Sequence, residues 1–443
     1  MSGKHIKNKH SDFHAKSFFR VKVYGIFLLI FLVSGCTEDT HTQSPNILKP
    51  LWVPCVTDGF NHPEEKDGYI GGMVSYKGYL YIGKDGCSFG IPDVPVKMYR
   101  IRHGTPCTEW EPVVGDGAAM PEGFGNRNFT QYNGVIVFKD ALYVIVEVNI
   151  WRTYNGIDFE LLVGSGGIYP SGFGIGAFFI NEPQIFKDML YVYTNGFTEA
   201  NTIWRTSDGN TWTPVVGGGA STPAGFGEGV DVGKICAFND HLYLIADTSP
   251  FNQVFRTEDG VIWEKICDDM DPYANIWRQP IVFKNYIYIP TRFYGGWKLG
   301  QMYRSSDGMT WESICPPGCP MQYYINELTV WEDYLYIGTD DDDRGCKIFR
   351  STDGNSWELM AEKGFYDSYV ADRNYVISSM AVFDGQLFAG TGSWDGYPCQ
   401  VWRSNFPASS VHLSLTGWKP VVVTTLVLIV SMLIWKFKSM FMN

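Results

Sequence analysis

The chain has 443 residues, 45% of them hydrophobic and 16% aromatic, and carries a formal net charge of −12. An acidic balance of this size repels nucleic acid and anionic membrane surfaces at long range, so neither is an expected partner of the exported part. The ten cysteines include no Cys-x-x-Cys with a matching histidine pair, which argues against a zinc site.

In chain order, residues 1–36 read as an export signal. Lys4, Lys7, Lys9, Lys16, Arg20 and Lys22 precede an apolar run from Val23 to Val33, followed by Ser34, Gly35 and Cys36. The Ser-Gly-Cys end resembles the lipobox of prokaryotic lipoproteins, which would make Cys36 the lipidated N-terminus. An uncleaved anchor, or an ordinary signal with an incidental cysteine, are the other readings. Residues 37–50 form a linker, and the repeats of residues 51–405 follow.

The repeats are anchored on an aromatic-x-Asp/Asn-x-Leu-Tyr phrase beginning at Tyr76, Phe138, Phe186, Phe238, Phe283, Trp331 and Phe383, at spacings of 45 to 62 residues. Short alternating runs at such a period predict an all-β, seven-bladed β-propeller with one four-stranded blade per repeat. In each repeat a strand ends at the anchor and a second follows at once. A third holds an aromatic-Arg pair such as Trp204-Arg205, and an Asp-Gly turn leads to the fourth. The last repeat stops after Trp402-Arg403-Ser404-Asn405 without a fourth strand. Trp52-Val-Pro-Cys-Val-Thr-Asp-Gly59 matches Trp110-Glu-Pro-Val-Val-Gly-Asp-Gly117, so an N-terminal strand is expected to close the last blade and leave no open edge.

Beyond a second linker at 406–417, the uncharged run Pro420 to Trp435 predicts a transmembrane helix over 418–437. Sixteen residues nearly cross a ~30 Å hydrocarbon core, and Lys436 and Lys438 favour a cytoplasmic tail over 438–443. The propeller is therefore expected at the cell membrane, on the extracytoplasmic side. Without the charges of the two terminal segments it carries about −20. With Cys36 set aside, nine cysteines leave at least one unpaired within the chain, and Cys315 and Cys319 are placed to close a small loop.

Four copies of Ser/Thr-x-Asp-Gly-x-x-Trp, with Asp208, Asp259, Asp307 and Asp353 at their centres, resemble the Asp-box or BNR repeat of sialidase-like β-propellers. Thr153 to Phe159 is a degenerate copy and Arg102 to Trp110 a diverged one. The resemblance implies that these boxes are structural turns on the face away from the ligand, and the matched arginines, Arg100 to Arg403, scaffold. Physically, the Asp accepts local amides, the Gly takes a positive φ and the Trp packs between sheets.

Ligand chemistry is therefore sought at the other face. Four residues before each anchor stand Gly72, Gly134, Glu182, Lys234, Gln279, Glu327 and Ser379; one residue earlier stand Gly71, Asn133, Asn181, Gly233, Arg278, Asn326 and Ser378. This polar ring reads either as a wet channel lining or as a ligand ring. Glu182 and Glu327 are the carboxylates within it, and with Tyr324 they are the candidate catalytic residues of a glycosidase. Arg278, Arg292, Tyr294, Trp297, Arg373 and Trp394 are candidate ligand-binding residues, with rings and polar tips suited to a glycan or a protein. Asp340 to Asp343 lack the spaced ligands of a calcium loop; they read as a solvated acidic turn or a weak Ca²⁺ site through Asp340 and Asp342. No other cofactor or metal is expected. Three Gly-Phe-Gly connections, centred on Phe124, Phe173 and Phe226, indicate a shared turn that packs its phenylalanine.

Two functions follow. The first is a membrane-tethered recognition or scaffold protein holding a glycan or protein. The second, implied by the resemblance, is a sialidase-like hydrolase. Against it, Tyr99-Arg100-Ile101-Arg102 lacks the proline of that family's Arg-Ile-Pro motif, and seven blades replace six.

Overall fold

The computed structural model describes residues 52–405 apart from 66–67, 87–93, 125–130, 165–166, 168–172, 174–176, 197–201, 218–225, 227–229, 249–251, 268–273, 277, 294–301, 315–323, 342–343, 366–373 and 394–396. The signal segment with Cys36, the linkers, the 418–437 run and the Cys315/Cys319 pair lie outside these residues. Among the described residues no helix is long and apolar enough to cross a membrane.

Every regular element described is a strand. After β1 (Trp52–Val56) come β2 to β5 (Ile70–Tyr76, Tyr79–Lys84, Lys97–Arg102, Glu111–Val114), which pair in sequence order as one antiparallel unit. The second unit is β6 to β9 (Tyr132–Phe138, Ala141–Val146, Asn149–Thr153, Glu160–Val163). In the third, β10 (Ala177–Ile180) and β11 (Gln184–Phe186) share the edge of β12 (Met189–Gly196), followed by β13 (Thr202–Thr206) and β14 (Thr213–Val216). The fourth is β15 to β18 (Val230–Phe238, His241–Thr248, Gln253–Thr257, Glu264–Cys267).

The fifth unit spans β19 to β24 (Ala274–Asn275, Ile281–Phe283, Tyr286–Pro290, Arg292–Phe293, Met302–Ser305, Glu312–Ser313), with β19 and β22 paired apart from the other four. The sixth is β25 to β28 (Tyr324–Trp331, Tyr334–Asp340, Ile348–Ser351, Glu358–Ala361). The seventh takes β29 to β31 (Val376–Phe383, Gln386–Gly392, Val401–Ser404) and completes itself with β1, whose Trp52, Val53 and Pro54 lie opposite Ser404, Arg403 and Trp402.

The first hairpin of most units is dictated by its turn. Lys139-Asp140, Lys187-Asp188, Asn239-Asp240, Lys284-Asn285 and the glycine versions Lys77-Gly78 and Asp384-Gly385 all have positive φ at both positions. That is the type I′ geometry, whose twist matches that of the flanking strands.

The cores lie between units. Each apolar cluster joins two consecutive units, as where Phe138, Tyr143 and Ile145 meet Leu190, Val192 and Trp212. The series returns to its start: Phe383, Phe388 and Val401 of the seventh unit pack with Ile70, Leu80 and Ile82 of the first. Aromatic residues repeat this pattern. Phe124 meets Trp151 and Phe159, Phe173 meets Trp204 and Trp212, and Phe226 meets Phe255 and Trp263. Phe60 on Tyr99 and Trp110, and Phe365 on Trp402 and Trp52, follow the same plan without a full Gly-Phe-Gly string. Trp52 thus occupies, in the seventh unit, the place that Trp212 occupies in the third.

β1 is also fastened to the first unit. Cys55 forms a disulfide with Cys107, in the turn between β4 and β5. Next to it, Glu65 bridges Lys84 and Lys97 at 2.5 Å each, Lys97 reaches Asp116 at 2.7 Å, and His62 Nε2 lies 2.9 Å from Asp116. Cys236, Cys267, Cys346 and Cys399 are free thiols.

The Asp-Gly turns hold themselves and then hold the neighbouring unit. Asp208 Oδ1 accepts from the amides of Asn210 (2.8 Å) and Thr211 (2.7 Å), and Gly209 donates to Thr206 Oγ1. Asp259, Asp307 and Asp353 repeat the arrangement. These amides hold the Asp208 and Asp307 carboxyls down at about 2. The arginines of the third strands pair with a glutamate of the fourth at 2.6–2.8 Å in five units. Arg403 instead faces Val53, and its Nε is buried with no acceptor.

Candidate functional site

The residues four and five before each anchor stand at the start of the strand that ends at the anchor in five units, and just before it in the third and fifth. Here the ladders of β2, β6, β15, β25 and β29 all shift register, between Ile70 and Gly72, Tyr132 and Gly134, Val230 and Gly233, Ile325 and Glu327, and Ile377 and Ser379. An inserted residue kinks a strand and re-aims its side chains. The bulge falls at the ring positions of five units, while Glu182 and Arg278 stand just before β11 and β20 of the other two.

Six charged groups from different units act on one another there. Lys234 Nζ lies 3.7 Å from Glu182 Oε1, and Arg278 donates from Nε (3.1 Å) and Nη2 (2.8 Å) to Asn326 Oδ1. Asn326 in turn donates to the Ile377 carbonyl at 2.9 Å, so its amide is fixed by the next unit. Gln279 donates from its amide to the Ile235 carbonyl. Desolvation pushes the Glu327 carboxyl up to about 8, with Glu182 adding to the rise while Arg278 and the Met380 amide oppose it. Asp85 also rises to about 8 through desolvation, opposed by the Tyr132 amide that donates to it at 2.8 Å and by Arg278, and reinforced by Glu147. Lys234 is pushed down, first by desolvation and then by Arg278, against the pull of Glu182.

Of the sequence candidates, Glu182, Glu327 and Arg278 are therefore brought together. Tyr324 stands at the start of β25 opposite Asp340. The side chain of Arg292 and all of Tyr294, Trp297, Asp342, Arg373 and Trp394 lie outside the described residues. Arg344, next to the acidic run, is exposed and donates its backbone amide to Asp341 Oδ1 at 3.1 Å.

The described half of the acidic run is not freely solvated. Asp340 and Asp341 are buried, and Asp341 accepts from the Lys347 ammonium at 2.6 Å, because a buried carboxylate needs a counter-charge. His62, Glu64 and Glu65 are the grouping with metal-ligand spacing among the described residues. Glu65 is already held by two lysines and His62 by Asp116.

Sequence reasoning missed Asp85, Glu147 and the part played by Tyr132. Both acids follow directly on the second strand of their units, a position the anchor count did not sample. Tyr132 packs on Gly72 and Gly83, where a Cβ would lie 2.5 and 2.2 Å from its ring, and on Gly71, where a Cβ would meet the Tyr132 Cβ at 2.4 Å and Asp85 Oδ1 at 2.5 Å. Three glycines in the first unit thus make room for one tyrosine of the second.

Neither a family model nor a curated protein sequence matches the chain. Among solved structures it is similar to YCF48 bound to D1 peptide, at 12% identity and a TM-score of 0.50 over 82% of this chain and 97% of that one. It is likewise similar to YCF48 from Cyanidioschyzon merolae, at 13% identity and a TM-score of 0.50 over 80% of this chain and 98% of that one. The beta-propeller domain of the Trilobed protease from Pyrococcus furiosus matches at 8% identity and a TM-score of 0.46, over 78% of this chain and 99% of that one. The fold is a β-propeller. At these identities the likeness extends to the fold alone, and the chemistry must be read from the propeller's own residues.

The raised carboxyls predict a pH dependence. The ordinary values are 4.5 for Glu327 and 3.8 for Asp85, against about 8 for each in the fold. Between those limits the native state holds protons that the unfolded chain has released, so stability falls as pH rises through this window. The Tm of Glu327→Gln should therefore exceed that of the native protein at pH 9 and approach it near pH 5. A constant difference across that range would show that Glu327 titrates normally.

Proposed function

We propose that the chain is a seven-bladed, BNR-type propeller, closed by β1 and anchored at the cell membrane with its blades on the extracytoplasmic side. Its function is recognition of a protein segment at the mouth of the central channel. The observation that carries this reading is the cluster of charges from six units, in which Lys234 and Arg278 act together with Glu182, Glu327, Asp85 and Glu147. Such a surface offers charges of both signs on fixed strands, and Arg278 is bonded to a neutral amide, not a carboxylate. Pre-set, partly desolvated charges of this kind are suited to reading a peptide's own charges and backbone. The likeness in fold to a protein solved with a bound D1 peptide is compatible with this role. The Asp-boxes, spent on their own turns, lie outside it.

Binding of a peptide library to the full-length protein in detergent tests the proposal. Arg278→Ala is expected to weaken selected peptides at least about tenfold, the scale of losing one charged hot spot. Retention of full affinity would move the ligand away from the channel.

A glycan ligand and sialidase-like hydrolysis form the second reading. One observation favours it: Glu327 holds a proton near neutrality within reach of the Glu182 charge, as a general acid requires. Against it, no converging set of arginines beside Arg278 is found among the described residues; the Arg292 side chain and Arg373 lie outside them. Turnover of a chromogenic sialoside that disappears in Glu327→Gln would replace the recognition reading.

A further inference from the structure

Four lysines are buried among the described residues: Lys84, Lys97, Lys234 and Lys347. Three of them are held in close ion pairs. Lys84 meets Glu65 at 2.5 Å, Lys97 meets Glu65 at 2.5 Å and Asp116 at 2.7 Å, and Lys347 meets Asp341 at 2.6 Å. Lys234 is built differently. Its nearest carboxylate oxygen stands 3.7 Å away, beyond good hydrogen-bond length, and a second cation, Arg278, acts on it. A buried ammonium with a distant counter-ion and a cationic neighbour favours the free amine, the nucleophilic form.

We propose that Lys234 is an activated amine at the channel mouth that condenses with small aldehydes to form an imine. The proposal rests on the convergence of the ring and not on the peptide ligand assigned above. The amine nitrogen attacks the carbonyl carbon, a C–N bond forms, and the π pair moves to oxygen. Glu182 takes a proton from nitrogen and returns it to that oxygen, giving a carbinolamine. The protonated Glu327 carboxyl then donates to the hydroxyl, which leaves as water while the nitrogen lone pair closes the C=N bond. The products are a protonated imine, one water and the Glu327 carboxylate, with no oxidant or reductant consumed. Glu182 lies 3.7 Å from Lys234, and Glu182 and Arg278 both act on Glu327, so both proton-transfer roles come from groups of this cluster. The other charged groups acting on this cluster are Asp85, at the end of β3, and Glu147, in the turn between β7 and β8, with Arg278 before β20.

Reductive trapping tests the proposal. Full-length protein in detergent is treated at neutral pH with glycolaldehyde and cyanoborohydride, and the modified lysines are followed in time by peptide mass mapping. A lowered ammonium pKa enlarges the amine fraction at neutral pH, so Lys234 should be alkylated severalfold faster than exposed Lys77 and Lys187. Arg278→Met, which removes the opposing cation, should slow the reaction at Lys234 and leave Lys77 unchanged. Labelling of Lys234 no faster than Lys77, or an Arg278→Met rate equal to the native one, overturns the proposal. Loss of peptide binding would affect neither result, so the two readings fail separately.

Discussion

Reducing the Cys55–Cys107 disulfide, or replacing Cys107 by Ser, should lower the unfolding free energy by about 4 kcal/mol, the chain-entropy value for a cross-link spanning 52 residues. The bond matters more than its loop size suggests because of where it sits. Among the described residues β1 pairs with β31 alone, and without β1 the seventh unit would end in an open edge. Cys55 belongs to the core that joins the last unit to the first, so the disulfide holds β1 against the first unit in the position from which it pairs with β31. Denaturant midpoints of the full-length protein with and without reductant measure the effect. A loss below about 1 kcal/mol would mean that the neighbouring network carries closure instead. Glu65→Gln would then be the damaging change, since it leaves the buried Lys84 and Lys97 short of counter-charge.

The repeat is legible in the sequence because it encodes local physics that recurs in every unit. Type I′ turns demand Asp, Asn or Gly, box turns demand Asp-Gly, and inter-sheet packing demands an aromatic at one offset. The match between Trp52 to Gly59 and Trp110 to Gly117 is readable for the same reason, since both strings form outer strands that carry the same aromatic contact. The ring was partly legible: counting back from the anchors finds Glu182, Lys234, Arg278 and Glu327 on four separate units. What the count cannot find is any residue whose place depends on the assembled ring. Asp85 and Glu147 reach the cluster from strand ends on two other units. The difference between Lys234 and the three other buried lysines lies in a distance to a carboxylate. Pairing of Cys55 with Cys107 depends on the last unit meeting the first.

Gly209→Ala should be among the most damaging single changes in the scaffold, costing about 2–5 kcal/mol, whereas Gly104→Ala should cost about 1–2 kcal/mol. Both glycines have positive φ, +75° and +77°, so the backbone penalty for a side chain is the same. Their surroundings differ. A Cβ on Gly209 would lie 1.9 Å from the hydroxyl of Tyr143, a buried residue of the preceding unit, while one on Gly104 would meet nothing within 4 Å. Gly156, Gly260, Gly308 and Gly354 repeat the tight contact with Tyr81, Tyr191, Tyr243 and Tyr288. The unit preceding Gly104 carries Phe388 at the matching position, and with no hydroxyl to receive, its box has diverged to His103-Gly104. The tyrosine hydroxyl therefore reads the absence of a side chain in the next unit. A double variant isolates that contact: Tyr143→Phe combined with Gly209→Ala should recover part of the loss, and the coupling between the two changes should exceed about 0.5 kcal/mol, as for residues in direct contact. Gly209→Ala that unfolds at the same denaturant concentration as Gly104→Ala would show that backbone conformation alone selects these glycines.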